Sequence, residues 1–200
     1  MICIAGKNQC ALDALIHLIS IPTIETSNIC VCLNKDDNGI DTWQPSLSKY
    51  ATQNNIKIKN LEQLYDDKDL IFFSLEYDKI ININKFKSNR LFNFHFSLLP
   101  KYRGCHTNYL QLKNGEKYSG VTCHEIDNGV DTGKIIDSIK YQIELNDTSK
   151  ENYLKLMSKA VELFTNILPK LLSGNYIAKK QAENEATYFT RSYIDYKREI

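Results

Sequence analysis

Apolar residues follow two periods along this chain. Residues 2–5, 29–33 and 70–75 are short continuous apolar runs, the pattern of strands buried on both faces of a parallel sheet. Between them, Leu12, Leu15, Ile16 and Ile19 recur at helical spacing over 10–19, after a tight loop at 6–9. Residues 45–54 read as a second helix and 56–58 as a short third strand, after a polar loop over 34–43. Strands alternating with helices predict an α/β fold.

Residues 91–97 alternate strictly. Phe92, Phe94 and Phe96 fall on one face of a strand, and Asn93, His95 and Ser97 on the other. The polar face aims an amide and an imidazole the same way, roughly 6–7 Å apart. Pro100 cannot donate to a ladder, so the strand stops near Ser97. The polar pair therefore stands at a strand's carboxyl end, where open α/β sheets hold ligands.

Beyond Pro100 the pattern changes. Residues 121–126 and 134–143 predict two extended runs lying antiparallel, joined by the turn-rich stretch 127–133. A long helix over 149–172 carries Tyr153, Met157, Ala160, Val161, Phe164 and Leu168 on one stripe. Thr148 or Ser149 caps it, Pro169 is expected to kink its last turn, and Gly174 ends it. Residues 176–200 are a polar tail with β-like pieces.

Composition narrows the function. The 200 residues fit a single domain, 1–200, with 42% hydrophobic and 24% charged residues. A net charge of +1 without a basic run argues against nucleic acid as a partner. No stretch has the length of a membrane span, and residues 1–6 read as a first strand, not a signal peptide. Six cysteines include no C-x-x-C pair. Cys3, Cys30, Cys32 and Cys123 lie in apolar runs as small buried hydrophobes, which fits reduced thiols and a cytoplasmic protein. No metal site is expected, because no His pair completes one beside Cys30 and Cys32. Absence of a G-x-G-x-x-G or Walker motif argues against nicotinamide or ATP chemistry.

The stretch Asn93-Phe94-His95-Phe96-Ser97-Leu98-Leu99-Pro100-Lys101-Tyr102-Arg103-Gly104 resembles the signature of folate-dependent formyltransferases. A second segment, Gly120 to Gly133, matches the context in which that family places an Asp, which selects Asp131 over Asp127. The resemblance implies a Rossmann-like formyltransferase fold: a mostly parallel sheet, helices on both faces and a C-terminal antiparallel portion. It also implies N10-formyltetrahydrofolate as cosubstrate and formyl transfer to an amine. Catalytic residues would be Asn93, His95 and Asp131. His95 would take the amine proton, Asn93 would donate to the oxyanion, and Asp131 would hold and polarise His95. Folate would lie against Leu75, Glu76, Tyr77, Lys79, Asn128, Gly129, Val130 and Thr132. Lys7, Asn8, Tyr102, Arg103, Gly104, His106, Thr107 and Asn108 would bind the other substrate. His124 reads as structural.

Within the family the chain is most similar to the sugar-nucleotide N-formyltransferases. That likeness implies a dTDP-linked amino-dideoxyhexose as acceptor, with dTDP-4-amino-4,6-dideoxyglucose as the best match, and a product used in lipopolysaccharide O-antigen. It allows a homodimer. Relatives continue beyond a segment like 195–200, so a truncated C-terminus is part of the expectation. A phosphoribosylglycinamide formyltransferase and a non-catalytic folate- or nucleotide-binding module stay open as alternatives.

Overall fold

The apolar runs at the start of the chain become the middle of a seven-stranded sheet. The computed structural model describes residues 1–194, so the segment 195–200 singled out in the sequence lies outside the described residues. Strands β1 (Ile2–Gly6), β2 (Ile29–Leu33), β3 (Lys57–Ile58), β4 (Ile71–Leu75) and β5 (Leu91–His95) run parallel. A two-residue β6 (Arg103–Gly104) follows β5. Strands β7 (Tyr118–Glu125) and β8 (Ile135–Gln142) then extend the sheet antiparallel, as the two runs around residue 130 predicted. The spatial order is β3-β2-β1-β4-β5-β7-β8. Chain direction across the sheet reverses between β1 and β4, so the crevice at their carboxyl ends is a topological switch point.

Among the described residues four α-helices accompany these strands: α1 (Asn8–Ser20), α2 (Leu47–Gln53), α3 (Thr107–Lys113) and α4 (Ser149–Ser173). Helix α1 starts two residues earlier than the predicted span 10–19, because Asn8 and Gln9 belong to its first turn and Lys7 is its extended cap. Ser46 caps α2 by accepting from the Lys49 N–H. In α4, Thr148 and Glu151 form a reciprocal capping box, and Gly174 ends the helix at φ 73°. The helix stays one element across Pro169.

One face of the sheet packs on α1, α2 and α4. Phe73, Phe92, Phe94 and Phe164 meet there, with Phe73 and Phe164 5.1 Å apart edge to face. Each such buried ring stabilises the fold by about 2–3 kcal/mol relative to exposure. The second face carries Cys3, Cys30, Cys32, Phe72 and Leu91. It is covered by loops and two short 3-10 turns, Leu61–Gln63 and Ile83–Lys85, in place of a long helix. Leu61, Leu64 and Tyr65 anchor the first of these, and Asn60 and Gln63 close the turn with their own capping box.

The polar tail is built into the molecule. Strand β9 (Tyr188–Phe189) pairs with β6, and Lys179 bridges to Ile135 in β8. Ile194 and Phe189 pack with Tyr102 and Leu110. At Gly104, φ is 90° and an added Cβ would overlap the Phe189 carbonyl, so only glycine allows this pairing.

Candidate active site

Asn93 and His95 leave the end of β5 into a cleft of about 540 Å³. The strand ends at His95, short of Ser97, whose hydroxyl turns away to donate to the Lys101 carbonyl at 2.7 Å. Asp131 reaches the same place from the loop between β7 and β8. Its backbone stands at φ 55°, a strained conformation for a residue with a side chain. The following glycine, Gly133, lets that loop lie against the Glu125 carbonyl, where a Cβ would collide.

The three residues meet. His95 Nδ1 lies 3.4 Å from Asp131 Oδ2, with the two side chains only 8% and 11% exposed. Its other nitrogen, Nε2, is 2.6 Å from the Tyr102 carbonyl. A carbonyl only accepts, so Nε2 carries a proton there, and Nδ1 is the nitrogen that faces Asp131. The Asn93 amide donates to Asp131 Oδ1 at 3.1 Å. Backbone Gly104 N–H donates to Asp131 Oδ2 at 2.9 Å. Gln181, from the tail, donates to the carbonyls of Asp131 at 2.8 Å and Gly133 at 2.7 Å.

Burial alone would raise the Asp131 pKa. The charge of His95, hydrogen bonding and charge from His124, and the Gly104 N–H outweigh that burial and hold the carboxyl well below the usual range. Asp131 is thus an ionised group at every pH where a His can titrate.

His124, which the sequence reads as structural, belongs to this cluster. Its Nε2 lies 3.4 Å from Asp131 Oδ1 and 3.2 Å from the Asn93 amide nitrogen. Its Nδ1 donates to the Glu125 carbonyl at 2.7 Å, so Nε2 accepts from Asn93 in the neutral ring and donates to Asp131 in the imidazolium that lowers the Asp131 pKa. Both hydrogens of the Asn93 amide are then engaged, by Asp131 and by His124. The signal for His124 is the register: it stands opposite Asn93 across the β5–β7 pair. Asp127 has a different task. Its Oδ1 accepts from Gly129 N–H and from the Thr132 hydroxyl, which shapes the loop.

The cleft has two unlike walls. Tyr77, Ile81 and Ile126 belong to the second sheet face and, with Ile80 and Val130, make one wall apolar. In that wall Asp78 Oδ1 is buried without a hydrogen-bond partner. An apolar slot with one orphaned acceptor fits a flat heteroaromatic ring that carries N–H donors. The other wall comes from the helix face: Glu76, Tyr153, Thr107 and Asn108. Asn34 steadies the 76–78 loop by donating to the Glu76 carbonyl at 2.9 Å and accepting from Asp78 N–H. Tyr188 and Arg191 of the tail also line the cleft, and the sequence offered no signal for them.

Of the other expected binding residues, Glu76, Tyr77, Lys79, Gly129, Val130, Gly104, His106, Thr107 and Asn108 line the cleft. The rest are used elsewhere. Leu75 is fully buried in the sheet. Asn128 faces Asn84 at 3.5 Å, and Thr132 bonds Asp127. Lys7 pairs with Asp36 at 3.1 Å. Asn8 stands behind the wall, bonded to Glu76 and Tyr153. The Tyr102 ring is buried against Phe189 while its hydroxyl donates to Glu116 at 2.8 Å. Arg103 binds Gln181 and Glu183 of the tail at 2.8 to 3.1 Å. A guanidinium saturated by its own chain is a clamp on the tail, so the correction for Arg103 is from ligand to brace. Among the described residues no group of three or more His, Cys, Asp or Glu side chains is placed to hold a metal ion.

Comparison with known proteins gives a consistent picture. Residues 4–168 match a protein family described as formyl transferase. One solved structure, WlaRD, a sugar 3N-formyl transferase in the presence of dTDP and 5-N-formyl-THF, is 45% identical. It superposes with a TM-score of 0.95 over 97% of this chain and 70% of that one. An N-formyltransferase from Helicobacter canadensis, in complex with folinic acid and dTDP-3-aminofucose, is 43% identical, again with a TM-score of 0.95, over 97% of this chain and 72% of that one. The bifunctional polymyxin resistance protein ArnA of Wigglesworthia glossinidia brevipalpis is 38% identical over 143 residues, 70% of this chain and 21% of that protein. The chain spans half or less of the length of the curated relatives it matches.

Proposed function

Because the chain belongs to the formyl transferase family, we propose that it formylates the 3-amino group of a dTDP-linked 3-amino-3,6-dideoxyhexose. Two solved relatives at 43–45% identity, one a sugar 3N-formyl transferase and one holding dTDP-3-aminofucose, favour this acceptor over the 4-amino sugar expected from sequence. The observation that carries the reading is the meeting of Asn93, His95 and Asp131 between an apolar wall and a polar one. N10-formyltetrahydrofolate would supply the formyl group from the apolar side, where Tyr77, Ile81 and Ile126 flank the orphaned Asp78 oxygen.

The chain's own residues divide the remaining work. His95 takes the amine proton at Nδ1, since Nε2 is committed to the Tyr102 carbonyl, and the same proton passes on to N10 of the cosubstrate as its bond to the formyl carbon breaks and tetrahydrofolate leaves. The ionised Asp131 stabilises the imidazolium that results and fixes the ring. Asn93 releases one amide hydrogen from Asp131 or His124 and donates it to the developing oxyanion. The apolar wall keeps bulk water from one side of the transferring carbon. We carry a lipopolysaccharide O-antigen destination and a cytoplasmic location as parts of the same proposal.

The test is product analysis by mass spectrometry after incubation with N10-formyltetrahydrofolate and three separate amines. These are dTDP-3-aminofucose, dTDP-4-amino-4,6-dideoxyglucose and glycinamide ribonucleotide. Preferred formylation of the 3-amino sugar supports the reading. Preference for the 4-amino sugar moves the acceptor position, and formylation of glycinamide ribonucleotide alone overturns the sugar assignment.

A further inference from the structure

Two non-glycine residues with left-handed backbones face each other across the switch point: Asn8 after β1, at φ 63°, and Glu76 after β4, at φ 61°. Such conformations cost about 1 kcal/mol or more each and persist where the surroundings hold them for a task. What they build is a hydrogen-bonded relay in the polar wall. The Asn8 amide donates to the Tyr153 hydroxyl at 2.6 Å and to Glu76 Oε2 at 3.2 Å. Tyr153 in turn donates to the Glu76 carboxylate, with its oxygen 2.7 and 2.8 Å from the two carboxylate oxygens. The Cys10 thiol is 3.7 Å from the same carboxylate.

This is an unusual place for an acid. Burial pushes the Glu76 pKa up, and the hydrogen bonds from Tyr153 and Asn8, with the more distant charge of Lys7, oppose that rise. An ionised carboxylate offers about four acceptor positions. Tyr153 and Asn8 take up part of that capacity, and both Glu76 and Tyr153 line the cleft. Tyr153 is held in turn by ring contacts to Phe96 and Trp43, both 6.0 Å between centroids. Neighbouring strands stand about 4.8 Å apart, and β4 is the immediate neighbour of β5, with Ser74 in register with Asn93. A ligand atom bonded to Glu76 is therefore within about three bonds of an atom at the Asn93–His95 column, the separation of a hydroxyl oxygen and an amine nitrogen on adjacent carbons.

Resting on the function proposed above, we propose that Glu76, positioned by Tyr153 and Asn8, selects the acceptor by accepting a hydrogen bond from the hydroxyl on a carbon adjacent to the amine-bearing carbon. Glu76 is then a specificity residue that touches substrate, and Tyr153 and Asn8 are positioning residues. A charge-assisted hydrogen bond of this kind gives discrimination on the order of 100-fold against an acceptor that lacks the hydroxyl.

The experiment compares kcat/KM for dTDP-3-aminofucose with its 4-deoxy and 2-deoxy analogues, for wild type, Glu76→Gln and Tyr153→Phe. Folinic acid binding confirms that each variant is folded. Wild type is expected to reject one of the two deoxy analogues on the order of 100-fold, with the ratio falling below about tenfold in Glu76→Gln. Tyr153→Phe is expected to lower the ratio in the same direction, mainly through KM for the hydroxylated sugar. Equal use of all three acceptors by wild type, or an unchanged ratio in Glu76→Gln, overturns the inference and leaves the proposed function standing. Failure of the wild type to formylate any amino sugar overturns the proposed function and the inference together.

Discussion

The side chain of Gln181 reaches back across the fold to donate to the carbonyl of Asp131 at 2.8 Å. One amide from the tail thereby braces the loop that carries the Asp131 carboxylate, and the same amide serves Gly133 at 2.7 Å. Replacing Gln181 with Ala leaves two carbonyls short of a donor, at a cost of about 1–3 kcal/mol if they stay unsatisfied. The expected result is a lower denaturant midpoint and a drop in kcat of roughly tenfold or more, because Asp131 loses its fixed position. Urea unfolding together with steady-state rates checks both.

Arg103 gives the complementary prediction. Its guanidinium grips Gln181 and Glu183. Glu183 is 69% exposed, so that ion pair itself adds at most about 1 kcal/mol, and the buried contact to Gln181 matters more. Arg103→Lys is expected to lower the melting temperature by several degrees, as about 1–2 kcal/mol does for a domain of this size. A substrate ligand would behave differently, with KM for the sugar nucleotide rising while the melting temperature stays put.

The carboxyl of Asp131 is held below its ordinary range, so its stabilising contribution has a defined pH window. A depressed folded-state pKa stabilises the fold above the unfolded value, about 3.9, and that stability is lost as pH falls through the folded value. The difference in unfolding free energy between wild type and Asp131→Asn is expected to be flat from pH 7 to about pH 5. Below about pH 4 it narrows. Denaturant melts along a pH series measure it, and a gap that widens on acidification would contradict the assignment.

His124 faces both Asn93 and Asp131. In His124→Phe the Asn93 amide loses one of its two acceptors and is held by Asp131 alone. A fall in kcat of roughly 10- to 100-fold is expected, with little change in folate affinity, since one misplaced group in a constellation costs on that order. Single-turnover rates beside folinic acid titration separate the two effects.

Much of this was legible in the chain, for physical reasons that differ by residue. Strict alternation in β5 put Asn93 and His95 on one side, and the Thr-Gly context marked Asp131 over Asp127, whose oxygens shape the loop. Continuous apolar runs marked the central parallel strands. What stayed hidden depends on pairing between distant segments. His124 enters the site through its register with Asn93, which no local pattern encodes. Lys7 and Arg103 looked like cations for a ligand, and they are matched by Asp36 and by a tail some 80 residues away. Polar composition made that tail look peripheral, although Gln181, Tyr188 and Arg191 all reach the site. The relay of Asn8, Glu76 and Tyr153 joins three elements and has no signature in any one of them.

The most direct test of the central claim is His95→Asn, measured for formyl transfer to dTDP-3-aminofucose and, in parallel, for folinic acid binding by calorimetry. The account predicts a loss of turnover of about 10²–10⁴-fold or more, with folinic acid affinity within a few-fold of wild type. Turnover that survives the substitution at near wild-type rate would contradict the assignment of this cleft as the site of formyl transfer.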